Sequence, residues 1–301
     1  MSDSLKQLLR LGAIMYSMVG SDTGGYNRSP DAETFARWFA LSAYSPMMEI
    51  LIGPNRAPWY SHDAGPDAGI PLLSIAQTFT REHHDLIPYI RSLVYGSTQT
   101  GMPAMRMMPL VFPDDPAVAD MFDEYMFGDA FLIAPVLTAG ATSRSVYLPR
   151  GEWIDYNDRN TRHLGPTTIT ARAPIDVLPR YVRAGSIVPR GDLLQSNNNW
   201  TPKWAPALRI EFFPAAGTQS RFDAYTGSAV VPMTGTMSGT TVSWQSGDLG
   251  VAGVLEVHGI DRYTMVRRDN RALGAGEFQY DAATRVMSIP LAGATSVQIQ
   301  R

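Results

Sequence analysis

The sequence predicts an α/β portion with parallel strands, followed by an all-β portion built of short strands. Three observations carry this. Over residues 1–99, helical apolar spacing alternates with short continuous apolar runs, in the order helix, strand, helix, strand, helix. After Gly101 the texture changes: Pro, Gly and Thr become frequent and the apolar runs shorten. From residue 130 onward, short strand patterns punctuated by turns recur, as they do in β-sandwiches.

Leu5, Leu8 and Leu9 share one face of a short helix over residues 3–11. The apolar run Ala13–Val19 reads as a buried strand, and it feeds into Gly20-Ser21-Asp22-Thr23-Gly24-Gly25-Tyr26. Ser29 is placed as the next helix N-cap, with Pro30 at the first helical position and Asp31 and Glu33 in the first turn. Phe35, Trp38, Phe39 and Ala43 give that helix its apolar side. Met47–Ile52 is a second apolar strand, opening into a Gly/Pro/Asp-rich loop over Gly53–Pro71. Ser74 and Gln77 form a capping-box pattern for a further helix, which Pro88 should kink or divide.

About 100 residues of α/β texture fall short of the roughly 200 needed to close a β/α barrel. Two parallel strands also cannot shield both faces of a sheet. The expectation is an unusual fold or the C-terminal part of something larger.

In the β portion the expected strands are Ala130–Val136, Ser145–Leu148, Thr167–Arg172, Tyr181–Ala184 and Ser186–Pro189. A polar break at Gln195–Asn199 reads as a linker. The second series is Leu208–Phe213, Ser220–Tyr225, Thr241–Gln245, Val254–Gly259, Tyr263–Arg267, Arg285–Pro290 and Thr295–Gln300. No internal repeat or low-complexity tract interrupts them.

Composition narrows the chemistry. The 301 residues are 45% hydrophobic and only 18% charged, with a net charge of -3 and no long basic run, which argues against nucleic acid or an acidic membrane surface as partner. With no cysteine, disulfides, thiolate metal sites and a cysteine nucleophile are excluded. Lys6 and Arg10 before Leu11–Gly20 faintly resemble a signal peptide. Asp3, the interrupted apolar run and the lack of a small-residue cleavage site argue against one. No apolar run is long enough to span a bilayer.

Asp22 and Glu49 are the carboxylates to weigh. Each lies on or at the end of an apolar strand, and parallel neighbours would present both on one side of the sheet. On spacing alone Asp22 is either a turn residue or part of a site, because Asp and Gly are ordinary turn formers. Paired carboxylates suit glycoside hydrolysis, whereas Glu49 as a paired or loop-anchoring carboxylate is the plainer reading. His83 and His84 point about 100° apart on a helix and cannot share a metal, and His62, His163 and His258 stand isolated. No metal site and no cofactor is expected. There is no G-x-S-x-G elbow, G-x-G-x-x-G loop or P-loop, and Asp114-Asp115-Pro116 reads as a helix start. Tyr26, Trp38, Trp59 and Tyr60 flank the two loops. Trp38, inside an amphipathic helix, is assigned to the core, while Trp59 and Tyr60 in their Pro/Gly loop are assigned to a ligand-facing surface.

Several blocks resemble glycoside hydrolase family 31, which contains α-glucosidases and α-xylosidases. They are Gly20–Tyr26, Arg37-Trp38-Phe39, Tyr44–Met48, Leu86–Leu93, Gly101–Arg106, Phe112–Asp115, Tyr125–Asp129, Leu132–Val136, Tyr147–Pro149 and Arg183–Pro189. The likeness runs in order over residues 4–190 and continues more weakly through Leu208–Tyr225. It implies a partial (β/α)8 barrel over residues 1–128, a proximal β-sandwich over 129–200 and a distal β-sandwich over 201–301.

The resemblance also implies retaining cleavage of α-glycosidic bonds through a covalent glycosyl-enzyme intermediate, with a carbohydrate substrate and no cofactor. The family's nucleophile and acid/base are aspartates of earlier barrel motifs, the latter in a Gly-Asp motif shortly before the helix that Ser4–Leu11 resembles. No residue here matches either, so no catalytic residue is assigned. Asp22 matches a family aspartate that hydrogen-bonds sugar hydroxyls, and Tyr26 matches an aromatic lining that pocket. Where the family usually carries Arg and His on the next strand, this chain has Glu49 and Leu51, a departure that bears on sugar specificity. The substrate-binding residues expected are therefore Asp22, Tyr26, Glu49 and Trp59. The first reading is the C-terminal part of a retaining α-glycosidase, inactive as this isolated chain. The alternative is a non-catalytic carbohydrate-binding or structural β-sandwich protein with a barrel remnant.

Overall fold

The computed structural model describes residues 1–26, 30–51, 69–191 and 207–301. The chain divides into two compact units. One comprises Met1–His83, Leu93–Asn157 and His163–Tyr181; the other comprises His84–Ser92, Asp158–Arg162 and Val182–Arg301.

In the first unit, α1 (Ser2–Ala13) buries Leu5, Leu8 and Leu9, as their spacing requires. The strand expected over Ala13–Val19 does not form. The Ile14, Met15 and Tyr16 amides donate back to the Arg10, Gly12 and Leu11 carbonyls, and Met15 takes a left-handed φ of 73°. The following segment meets the one before Leu51 at a single parallel bridge, Asp22 with Glu49. The second expected strand, Met47–Ile52, likewise reduces to that bridge, and Ile52 lies outside the described residues. The physical reason is that a parallel strand is held by ladder partners along its length, and one bridge supplies no ladder.

The helix starts also shift. Asp31, not Ser29, caps α2 (Ala32–Ser42), its carboxylate accepting from the Thr34 amide at 2.7 Å. Ser29 is outside the described residues. α3 (Leu72–Asp85) begins ahead of Ser74, whose hydroxyl donates to the Pro71 carbonyl at 2.9 Å instead of capping. Pro88 divides the next pattern as expected. α4 (Ile87–Thr100) starts one residue before it, because proline's missing N–H costs nothing in a first helical turn.

The β elements that follow are β1 (Met105–Met107), β2 (Tyr125–Phe127), β3 (Phe131–Ile133), β4 (Ser143–Asp155), β5 (Arg162–Arg172) and β6 (Arg180–Arg183), with the short helix α5 (Met108–Val111) after β1. They form a sheet in the order β1-β2-β3-β6-β4-β5. Met108, Val118, Met126, Leu132, Leu148 and Trp153 form one core cluster of this unit. Arg37 ties α2 to the adjoining turns: its guanidinium donates to the carbonyls of Ala141 at 2.7 Å, Pro174 at 2.8 Å and Ala173 at 3.1 Å. A buried cation is tolerated there because several acceptors compensate its lost hydration.

The second unit is a two-sheet sandwich. Its strands are β7 (Ile187–Arg190), β8 (Leu208–Phe212), β9 (Gln219–Tyr225), β10 (Val230–Ser238), β11 (Thr241–Ser246), β12 (Gly253–His258), β13 (Met265–Arg268), β14 (Arg271–Ala272), β15 (Gln279–Asp281), β16 (Val286–Leu291) and β17 (Thr295–Gln300). One sheet runs β15-β16-β12-β8-β7 and the other β14-β13-β17-β11-β10-β9. Their inward residues share one core that includes Phe212, Trp244, Leu255, Val257, Met287 and Ile299.

Every strand expected in the β portion is present, Thr295–Gln300 with the expected bounds and the others with shifted ends. The proposed linker at 195–199 lies outside the described residues. β1, β2, β10, β14 and β15 were not anticipated. β10 is concealed by Pro232 and Gly235, which read as breakers. Gly235 is needed in the strand because the Phe212 ring occupies the space a Cβ would take.

Candidate functional site

The loop around Asp22 is built by close backbone approach. A Cβ on Gly20 would lie 2.5 Å from the Met47 carbonyl oxygen, so only glycine lets the two segments meet there. Ser45 fixes the other side by donating to the same Met47 carbonyl at 2.7 Å. The Thr23 amide then donates to the Glu49 carbonyl at 2.8 Å, and the Gly25 amide closes a turn onto the Asp22 carbonyl at 2.8 Å. Gly24 at φ 91° and Gly25 at φ 93° occupy left-handed backbone that side chains disfavour.

Side chains beneath the loop hold it. Thr23 is buried, and its hydroxyl donates to the Ser42 hydroxyl at 2.9 Å. Trp38 is buried in α2, as its spacing indicates, but it also donates its indole N–H to the Ser21 hydroxyl at 2.9 Å. Ser21 and Thr23 are thus positioning groups that the sequence reading passed over. Their signal was present, since each flanks the aspartate singled out, but a hydroxyl's partner cannot be read from spacing.

Of the expected site residues, the structure brings Asp22 and Glu49 together across the bridge. Asp22 is half-buried, while Glu49 is exposed. Tyr26, at 62% exposure, stands at the rim of the loop. Trp59 lies outside the described residues. The arrangement offers carboxylates as hydrogen-bond acceptors and an open aromatic ring, the chemistry of a polyhydroxylated ligand with an apolar face.

His258 is not isolated, contrary to the sequence reading. In the parallel register Glu256 of β12 stands beside Glu211 of β8, and His258 lies two residues further along β12. Potential ligand atoms of these three lie within 4.8 Å of one another. The surroundings oppose a cation, however. Arg159 pairs with Glu211 at 3.1 Å, and Arg190 lies 3.8 Å from its other oxygen. Burial pushes His258 down to about 4, against the pull of Glu211, and its ring stacks on Phe213 at 4.3 Å. Burial, with Glu211 adding repulsion, raises the Glu256 carboxyl. The cluster is a buried charge network, and no metal is assigned to it.

The described residues comprise helices with one parallel bridge at Asp22 and Glu49, followed by β-sheet regions. Comparison with known families shows the family to which the chain belongs. Residues 1–93 match the glycosyl hydrolases family 31 TIM-barrel domain, and residues 101–188 match the glycosyl hydrolase family 31 C-terminal domain. The chain belongs to glycosyl hydrolase family 31 and consists of part of the TIM barrel followed by C-terminal β domains.

It is similar to neutral alpha-glucosidase C of Homo sapiens, at 30% identity over 69% of this chain and 22% of that protein. It is also similar to an isomaltosyltransferase of Sporosarcina globispora, at 37% identity over 56% of this chain and 16% of that protein. Among solved structures, the Flavobacterium johnsoniae family 31 dextranase complexed with glucose superposes with a TM-score of 0.83 at 22% identity, covering 99% of this chain and 42% of that one. That likeness is one of fold. The chain spans about a fifth of the length of these curated relatives and 42% of the dextranase structure.

Proposed function

We propose that this chain supplies the sugar-binding part of a retaining α-glycosidase acting on α-linked oligosaccharides or glycosides. Asp22 accepts from sugar hydroxyls, Tyr26 and Trp59 line the sugar, and Glu49 alters which sugar is preferred. The observation that carries this reading is the Asp22–Glu49 bridge within the residues that match the TIM-barrel domain. Strand ends are where such barrels place their binding groups. In this reading a barrel part, a proximal sandwich and a distal sandwich follow in that order, with β1 and β2 grouped with the sheet of β3–β6 and β7 with the second unit.

The reading assigns neither catalytic carboxylate to this chain, so the chain alone does not turn over substrate. The apolar side chains of Ile14, Met15, Tyr16 and Met18, each more than half exposed, support a surface that further barrel segments cover. Incubating the chain with aryl α-glycosides should release no phenol. Adding a polypeptide that carries the earlier barrel strands of a family relative should restore release, and Asp22→Ala should abolish the restored activity. Turnover by the chain alone, lost in Asp22→Ala, would refute the division of roles. Tight sugar binding by the chain with no gain on complementation would favour a non-catalytic carbohydrate-binding protein.

A further inference from the structure

The block Phe112-Pro113-Asp114-Asp115 plays no part in the loop at Asp22, yet it walls a second concavity. This pocket has a volume of about 550 Å³, within the usual range for small-molecule sites, and lies wholly in the first unit. Phe112, Tyr147 and Pro166 provide its apolar surface, and Asp114, Asp115 and Arg150 its polar groups.

Its walls are fixed in advance. The Tyr147 hydroxyl donates to Asp115 Oδ2 at 2.7 Å, while Asp115 Oδ1 accepts from the Ala117 amide at 3.1 Å. The Tyr147 amide donates to the buried Glu124 at 3.0 Å, which anchors the backbone behind the ring. Phe112 packs edge-on against the fully buried Trp153, with ring centroids 6.4 Å apart. Both rings are thus held in place, and the Tyr147 hydroxyl is already satisfied. Asp114 and Arg150 are exposed.

The lining selects the ligand by its chemistry. Carboxylates disfavour an anion and the guanidinium disfavours a cation, so a neutral ligand fits best. That ligand must both donate to a carboxylate and accept from an arginine, and it must offer an apolar face to Tyr147 and Phe112. A pyranose ring meets all three requirements: its C–H face is apolar and each hydroxyl both donates and accepts. We infer that this pocket is a second saccharide-binding site, separate from the loop at Asp22, which holds a neutral oligosaccharide by stacking on Tyr147 and Phe112 and by hydrogen bonds to Asp114 and Arg150. Membership of a glycoside hydrolase family makes such a ligand available, but the inference does not depend on the role proposed for Asp22.

The test is an amide-resolved NMR titration of the 301-residue chain with maltotriose and, separately, isomaltotriose. At least one sugar should shift the amides of Asp115, Ala117 and Tyr147 saturably in the millimolar range. Asp114→Ala and Arg150→Ala change exposed side chains and should leave the fold intact. Each should weaken these shifts about tenfold, the effect of one charge-assisted hydrogen bond. Tyr147→Ala should remove them, whereas Tyr147→Phe, which keeps the ring, should retain most of the binding. Asp22→Ala should leave this response unchanged, whatever it does at the barrel loop. The inference is overturned if neither sugar shifts these amides, if Asp114→Ala and Arg150→Ala both bind as tightly as the parent chain, or if Asp22→Ala abolishes the response.

Discussion

Asp22 and Glu49 are partners in a single parallel bridge, closed by the Thr23 amide donating to the Glu49 carbonyl at 2.8 Å. The bridge is formed by backbone, so the two carboxylates can be changed without breaking it. On the sugar-binding role proposed for Asp22, Asp22→Ala should weaken binding at the loop about tenfold or more, and because the bridge is backbone, stability should change by about 1 kcal/mol or less. Calorimetric titration with an α-linked disaccharide, beside a thermal melt, separates the two effects. A melt lowered as much as binding would mean that Asp22 serves the fold instead of the ligand.

Gly20 tests the closeness of the two segments. A methyl group there would press on the Met47 carbonyl oxygen, which Ser45 already holds. Gly20→Ala should cost about 1–3 kcal/mol, the usual penalty of an overpacked site. Urea unfolding measures this, and an unchanged midpoint would show that the loop yields at no cost.

In the second unit, Asp85 lies at the end of α3 and accepts from Arg190 Nε at 2.7 Å and Nη2 at 2.6 Å, and from Arg209 Nη2 at 2.6 Å. Asp85 and Arg190 are both buried. Removing the carboxylate takes the shortest charge partner from the buried Arg190, leaving Glu211 at 3.8 Å, so Asp85→Ala should destabilise this unit by about 3 kcal/mol. Pairing it with Arg190→Met should recover part of that loss, and a double-mutant cycle on unfolding midpoints reads the coupling.

His258 makes the same unit acid-sensitive. Burial lowers it from its ordinary 6.5 to about 4, so the unfolded chain binds more protons between those values. Stability is therefore fully present above about pH 6.5 and falls as pH drops toward 4, by on the order of 3 kcal/mol. Hydrogen exchange of the β12 amides at pH 7, 5.5 and 4 should show the loss, and His258→Phe should flatten it. Equal protection at all three pH values in the parent chain would contradict it.

Glu124 gives the first unit the opposite slope. Burial raises its carboxyl from 4.5 to about 7, in spite of Arg144 and the Tyr147 amide. A group raised in the folded state contributes stability that is present below its unfolded value and lost as pH rises through its folded one. The amides of β2 should therefore be better protected at pH 5 than at pH 8, and Glu124→Gln should remove the difference.

The sequence by itself determined the helices of the first 100 residues, most strands of the β portion, the change of texture after Gly101, and the family. Apolar periodicity locates helices such as α1, and turn residues bound most strands of the sandwich, because these are local properties of the chain. The Gly20–Tyr26 block marked the candidate site for the same reason. Only the tertiary structure decided whether apolar runs became strands. Ala13–Val19 has strand composition, but a strand exists through its hydrogen-bonded neighbours, and one bridge is all that the described residues supply. It also decided the partners of single polar groups. Trp38 with Ser21, Asp115 with Tyr147 and Arg190 with Asp85 are non-local pairs. His258 beside Glu211 follows from strand register, which no spacing along the chain encodes. Asp22 and Glu49 lie between these cases: each was legible as a carboxylate at a strand end, but their direct pairing comes from the close approach that Gly20 permits.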